Sequence, residues 1–145
     1  MNLQFINIQY DYSNDTPFVI FENKPGKNFY LKIDHHTAND ILNHLYKSDK
    51  EKYHSSFYNI FVDFFDISDI SIENLSIDKN LNGKYSGQLT IKKGDNIFCY
   101  YLDGNDIILL SVLFGKSIKI PQNLFFDLDI GLIENPIGQE LIGIQ

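Results

Sequence analysis

The chain has 145 residues, of which 43% are hydrophobic and 21% charged, the size and composition of a single folded domain rather than of a disordered chain. Twelve lysines stand against nineteen acidic residues, there is no arginine, and the net charge is −7. This balance disfavours broad binding to nucleic acid, which needs clustered positive charge. The chain has no apolar run of about 18 residues to span a membrane, and its N-terminus lacks the pattern of a signal peptide. We therefore expect a cytoplasmic protein.

The first third of the chain predicts three strands and a helix. Apolar residues alternate over residues 3–10, and a turn sequence follows. Residues 18–23 and 29–33 flank KPGKN and predict a hairpin. From residue 36 to 47 the apolar positions recur at helical spacing, which predicts an amphipathic helix.

The middle of the chain predicts a second helix and a further strand. Aromatic residues recur at helical spacing over residues 53–65, and rings of this size usually fill a core. Residues 68–77 predict a strand, and residues 78–84 carry turn residues.

The last part of the folded chain predicts a hairpin and a third helix. Residues 85–92 and 96–102 are the two strands, and an apolar helix follows with Asn105 as N-cap and Gly115 just past its end. Because this helix is apolar nearly all round, we expect it to be covered on more than one side. Residues 118–120 predict a short strand and Pro121 starts a short helical turn.

Two segments of the chain resemble one another. GKNFYLKIDHHTANDIL and GDNIFCYYLDGNDII both read as a glycine, an asparagine, a strand, an acidic turn and a helix start. They suggest a duplicated unit of two strands and a helix. The predicted fold is α+β, with a mainly antiparallel or mixed sheet and helices packed on it. We expect one domain over residues 1–127 and an apolar tail, residues 128–145, that docks on the domain or on a second subunit.

Cys99 is the only cysteine in the chain. A single cysteine excludes an internal disulfide and any metal site built from several cysteines. Since Phe98 and Tyr100 flank it, we expect Cys99 to be a buried, inert strand residue.

One stripe of the first helix carries possible metal ligands. His36, Asp40 and His44 are spaced by four, so they lie along one side of a helix. Imidazoles and a carboxylate in this arrangement suit a divalent transition metal such as zinc. The alternative is a solvated helix face with no ligand.

Two other places carry possible catalytic groups. His54 lies near the start of the second helix and is a candidate general acid or base. Asp103 and Asp106 lie at the start of the third helix. They are candidates to hold Mg²⁺ or Mn²⁺ for phosphodiester hydrolysis. The alternatives are capping or surface exposure for His54 and helix capping for the two aspartates.

Three motifs in order resemble the bifunctional nuclease domain family. NDIILLSVLFGKSIKI is similar to the helix and strand that end the family's fold, with Asn105, Asp106, Gly115 and Ile118 on matching positions. YHSSFYNIF resembles a second family helix, with His54 matching its histidine, and DHHTANDI resembles a third. The similarity covers the chain from Leu3 to Phe126. It implies an α+β domain with nuclease activity toward DNA and RNA.

The chain departs from the family at several polar positions. Asp34 replaces a glycine, Thr37 a glutamate, and Asp103 with Gly104 an Arg-Pro pair. Thr37 lacks a carboxylate to act as base or ligand, and Asp103 reverses a charge that would meet a phosphate. The alternative function is therefore a non-enzymatic, oligomeric interaction module that binds through its apolar last helix and its tail.

Overall fold

The computed structural model describes residues 1–25, 27–46, 57–81, 84–126 and 130–133. These ranges contain eight strands, three α-helices and one 3-10 helix. The strands are β1 (Asn2–Asp11), β2 (Thr16–Lys24), β3 (Lys27–Lys32), β4 (Ile70–Leu81), β5 (Lys84–Lys93), β6 (Asn96–Asp103), β7 (Ile118–Lys119) and β8 (Ile130–Ile133). The helices are α1 (His35–Leu45), α2 (Phe57–Ile67) and α3 (Gly104–Phe114), and the 3-10 helix is Gln122–Phe126.

The strands form one mixed sheet in the order β6-β5-β4-β7-β1-β2-β3-β8. Neighbouring strands are antiparallel except for β4 and β7, which are parallel. The three helices pack on this sheet, with α1 and α2 both contacting α3. The predicted α+β class, with a mixed sheet and packed helices, is confirmed.

The order of elements repeats itself along the chain. The strands β1, β2 and β3 are followed by α1, and β4, β5 and β6 are followed by α3. β7 lies between the two halves and pairs antiparallel with β1 and parallel with β4. Outward from β7 the strands follow in chain order on both sides, β1, β2, β3 on one and β4, β5, β6 on the other. The two similar sequence segments fall on β3-α1 and on β6-α3. The repeated unit is therefore one strand longer than the sequence similarity suggests.

The sheet curves strongly around its helices. The Tyr85 hydroxyl on β5 donates a hydrogen bond to the Lys32 carbonyl at the end of β3. Four strands lie between β5 and β3 in the sheet, and in a flat sheet strands that far apart are separated by about 24 Å. Only a curled sheet brings these two groups into contact.

The centre of the core is α3. It contacts β4, β5, β6 and β7 as well as α1 and α2, which confirms that it is covered on more than one side. The one polar side chain in the middle of α3, Ser111, is fully buried. Its hydroxyl is satisfied there because it donates to the Lys116 carbonyl. Gly115, at φ 63°, ends the helix in the left-handed conformation that glycine adopts without strain. The buried residues of α3 are Gly104, Ile107, Ile108, Leu109, Ser111, Val112 and Leu113.

Two predicted boundaries are wrong. The N-cap of α3 is Asp103 and not Asn105, because the Asp103 carboxylate accepts from the Asn105 backbone N–H. The predicted turn over residues 78–84 is also wrong in its first half. Residues 78–81 continue β4 because their backbones pair with β5, and tertiary pairing of this kind overrides local turn propensity.

The predictions of core burial fail at two surfaces. Phe65 is buried, but Phe57, Ile60, Phe64 and Ile67 on the other side of α2 are more than half exposed, because α2 packs against β4 and α3 on one side only. Cys99 is exposed as well. It lies on β6, the outermost strand at one end of the sheet.

Part of the apolar tail adds a strand to the domain. Ile130–Ile133 forms β8, which pairs antiparallel with residues 28–31 of β3. The other residues of the 128–145 segment lie outside the described ranges. Each helix of the described residues has 11 residues, too few to cross a lipid bilayer.

Truncation of the central helix tests this core. Ile108 is fully buried, so Ile108→Ala should lower the free energy of unfolding by about 2–5 kcal/mol, since it leaves a cavity among its neighbours. Ile67→Ala removes the same atoms from a side chain that is 83% exposed, and it should change stability by less than about 0.5 kcal/mol. Urea unfolding of both variants measures the difference. Equal losses would contradict the central position of α3.

Candidate functional site

The N-terminal ends of α1 and α3 meet where the curl of the sheet closes, next to the hydrogen bond from Tyr85 to Lys32. The backbone N–H of Asp34, at the start of α1, donates to the Asn105 side-chain oxygen in the first turn of α3, at 2.9 Å. The Asn105 amide nitrogen in turn donates to Asp103 at 3.2 Å. Asn105 therefore bridges the two acidic turns, which are 71 residues apart in the chain.

Each acidic turn caps its own helix. Asp34 accepts from the Thr37 backbone N–H at 2.7 Å, and Asp103 accepts from the Asn105 backbone N–H at 2.8 Å. Both carboxylates satisfy donors that a helix start leaves unpaired, and both interact favourably with the positive end of the helix dipole. A helix N-terminus is a natural site for a phosphate, but here each N-terminus already holds an anion from its own chain.

A small apolar cleft lies beside these two turns. It has a volume of about 200 Å³, and among its described lining residues Asp106 is the one charged group. Burial beside this apolar surface raises the pKa of Asp106, and the negative charges of Asp103 and Asp34 raise it further. The remaining lining residues are Phe57, Tyr58, Phe61, Leu102, Leu109, Leu110 and Leu113.

Tyr58 joins α2 to this acidic region. Its hydroxyl donates to an Asp40 carboxylate oxygen on α1 at 2.9 Å. Burial raises the pKa of Tyr58, and the hydrogen bond to Asp40 and the charges of Asp40 and Asp106 raise it further. The sequence analysis did not select Tyr58. The sequence feature that could have indicated Tyr58 is its hydroxyl within an otherwise apolar aromatic helix, because a partly buried hydroxyl needs a hydrogen-bond partner.

The structure brings together some of the predicted residues and leaves others apart. Asp103 and Asp106 lie at the start of α3, and the hydrogen bond from the Asp34 N–H to Asn105 brings the Asp34 turn beside them. His36 lies 3.5 Å from Asp40. His44 lies two helical turns beyond His36, about 12 Å along the axis. His54 lies outside the described residues.

A metal does not fit the donor groups that are described. One oxygen each of Asp34 and Asp103 accepts a helix-capping bond, and one oxygen of Asp40 accepts from Tyr58. Within the ranges given above, no group of three or more His, Cys, Asp or Glu side chains has the arrangement of a metal site. The carboxylates of this region therefore act as caps and hydrogen-bond acceptors.

Comparison with models of protein families and with curated proteins finds no match to this chain. The resemblance to the bifunctional nuclease domain remains a prediction from three short motifs. The function has to be argued from the residues themselves.

The raised pKa of Asp106 predicts a pH-dependent loss of stability. The folded state holds this proton more tightly than the unfolded state, whose pKa is near 3.8. Stability therefore falls as pH rises from that value through the folded pKa. Asp106→Asn removes this loss, so the variant should be more stable than the wild type at pH 7 and equal to it below about pH 3.8. Urea unfolding across this pH range measures both.

A second variant separates the causes of the shift. Asp103→Asn retains a side chain that caps helices well but removes one negative charge near Asp106. The pKa of Asp106 should then fall toward its ordinary value without reaching it, because burial is the larger cause. NMR titration of the Asp106 carboxyl measures this change. An unchanged pKa would mean that the two carboxylates do not interact.

Proposed function

We propose that this protein is a non-enzymatic interaction module that associates with a second copy of itself through the edge strand β6. The observation that carries the proposal is the exposure of this strand. Ile97, Phe98, Tyr100 and Tyr101 are 65%, 46%, 48% and 68% exposed. Single exposed apolar residues are common on proteins, but four within five positions of one strand form a patch of the kind found at interaction sites.

The sequence of β6 lacks the usual protection of an edge strand. Natural edges carry charged residues, proline or bulges that prevent pairing with another chain. Residues 96–102 contain no charge and no proline, and β6 pairs with β5 in continuous register without a bulge. In the described residues, β5 is its only partner strand. This composition is typical of a strand that pairs with another chain.

The distribution of charge makes β6 the surface at which two copies repel one another least. Each chain carries a net charge of −7, so two copies repel one another over most approaches. β6 supplies seven consecutive uncharged residues where this repulsion is least. The last helix, which the sequence analysis expected to bind together with the tail, offers less surface to a partner, because most residues of α3 are buried within its own domain.

Light scattering over a range of concentrations tests self-association. A contact built on one strand is small, so we expect a Kd on the order of micromolar. The wild type should change from monomer to dimer as its concentration rises through this range. Added salt should strengthen the dimer, since it screens the repulsion between two acidic copies. A wild type that stays monomeric throughout would refute the proposal.

A pair of variants at one exposed position supplies the control. Cys99→Lys places a charge in the middle of the edge and should give a monomer. Cys99→Ser is neutral and of similar size, and it should still form the dimer. Circular dichroism checks that both variants remain folded.

A second candidate function is phosphodiester hydrolysis. The observation that favours it is the convergence of Asp103, Asp106 and the Asp34 turn, where Asp106 has a raised pKa. Such a carboxyl is a candidate for positioning water or transferring a proton, and His54 is the candidate acid or base from the sequence. Against this stand the lack of arginine and the negative charges of Asp34 and Asp103 near Asp106, which repel a phosphate.

Cleavage assays decide between the two functions. Single- and double-stranded DNA and RNA are incubated with the protein and Mg²⁺ or Mn²⁺. A non-enzymatic module leaves them intact and gives the same background as the double variant His54→Ala with Asp106→Ala. Cleavage by the wild type that this double variant loses would establish the nuclease function and reject the non-enzymatic proposal.

A further inference from the structure

The hairpin of β5 and β6 determines which backbone groups face away from the domain. The two strands are joined by a two-residue loop, Gly94 and Asp95, with Gly94 at φ 60°. In a two-residue hairpin the closing pair, here Lys93 and Asn96, exchanges hydrogen bonds, and hydrogen-bonded pairs then alternate along the ladder. The even-numbered residues of β6 therefore bond to β5. Ile97, Cys99 and Tyr101 direct their backbone N–H and C=O groups outward.

These outward groups require an extended strand as partner. A second β6 meets this requirement, because its own residues 97, 99 and 101 present the same groups, which no strand among the described residues pairs. Two identical copies associate most often around a twofold axis. An axis perpendicular to the sheet makes the two β6 strands antiparallel and keeps each side chain on the same face of the joined sheet. Odd residues then face odd residues, and even residues face even residues.

The uncharged run selects one register. The run covers residues 96–102, and its centre is Cys99. An axis through Cys99 pairs the whole run with itself, which is the longest uncharged overlap of any register. It also places Asp95 of each copy opposite Asp103 of the other at the two ends of the contact, a like-charge repulsion that salt screens. A shift by two residues in either direction places one of these aspartates opposite Tyr101 or Ile97 and shortens the uncharged overlap.

We infer that two copies of this chain join β6 to β6 in antiparallel orientation about a twofold axis at Cys99, which makes one continuous sheet across the dimer. In this arrangement Ile97 lies opposite Tyr101 of the second copy on the open face, and Phe98 lies opposite Tyr100 on the face that carries the helices. Aromatic and β-branched pairs of this kind stabilise antiparallel sheets, each by about 0.2–1 kcal/mol. This inference rests on the proposed self-association and adds its geometry.

The single cysteine makes the arrangement directly testable. Residues opposite one another in a hydrogen-bonded antiparallel pair have Cα atoms about 5.5 Å apart, which is within the range of a disulfide. Cys99 is exposed, so diamide should oxidise two Cys99 thiols to a disulfide, taking up their two electrons and two protons. The full-length protein at a concentration where it is dimeric should give a covalent dimer on a non-reducing gel. Ser13→Cys in a Cys99→Ser background, with its cysteine in an exposed turn, measures the rate of random collision.

The register has its own matched test. In the Cys99→Ser background, Ile97→Cys and Tyr101→Cys should each crosslink poorly alone and efficiently when mixed, because position 97 lies opposite position 101 only with the axis at Cys99. A light-scattering dimer that crosslinks at Cys99 no faster than the Ser13→Cys control overturns this arrangement and leaves self-association standing. A monomer by light scattering rejects the proposed function itself. Crosslinking at Cys99 well above the control, together with the mixed pair, supports the inference.

Discussion

Burial of an almost wholly apolar helix is the constraint on which the rest of this structure depends. α3 has no polar face to give to solvent, so it is stable only when it is surrounded. A flat sheet covers one side of a helix, and here the sheet curls while α1 and α2 cover the flanks. The hydrogen bond from Tyr85 to Lys32 holds the two ends of the curl together. Where the curl closes, the starts of α1 and α3 meet.

This meeting of two helix starts brings several carboxylates together. Asp34 and Asp103 occupy the helix ends that would otherwise attract an anion, and Asn105 ties them together. Asp106 faces apolar side chains and two like charges, which together raise its pKa. The region joins the two halves of the fold. A cluster of exposed apolar side chains lies instead on β6, the outermost strand at one end of the sheet.

Much of the fold follows from local pattern. The hairpins, the amphipathic α1 and the apolar α3 have periodicities that only one kind of element fits, and the structure forms them near the predicted bounds. Two of the errors have the same cause. Residues 78–81 look like a turn but pair with β5, and Cys99 looks like a core residue but lies on an edge strand. In each case the neighbouring strand, which sequence periodicity does not reveal, decides the outcome.

The sequence by itself determined the class of fold, the repeated strand-to-helix unit, the acidity of the chain and the uncharged run that became β6. These are properties of consecutive residues, so they can be read before folding. The folded structure was needed to show that Asp34 meets Asn105 across 71 residues and that β6 is outermost. The order of strands in a sheet depends on contacts between distant segments. The same apolar strand is core in the middle of a sheet and exposed at its edge.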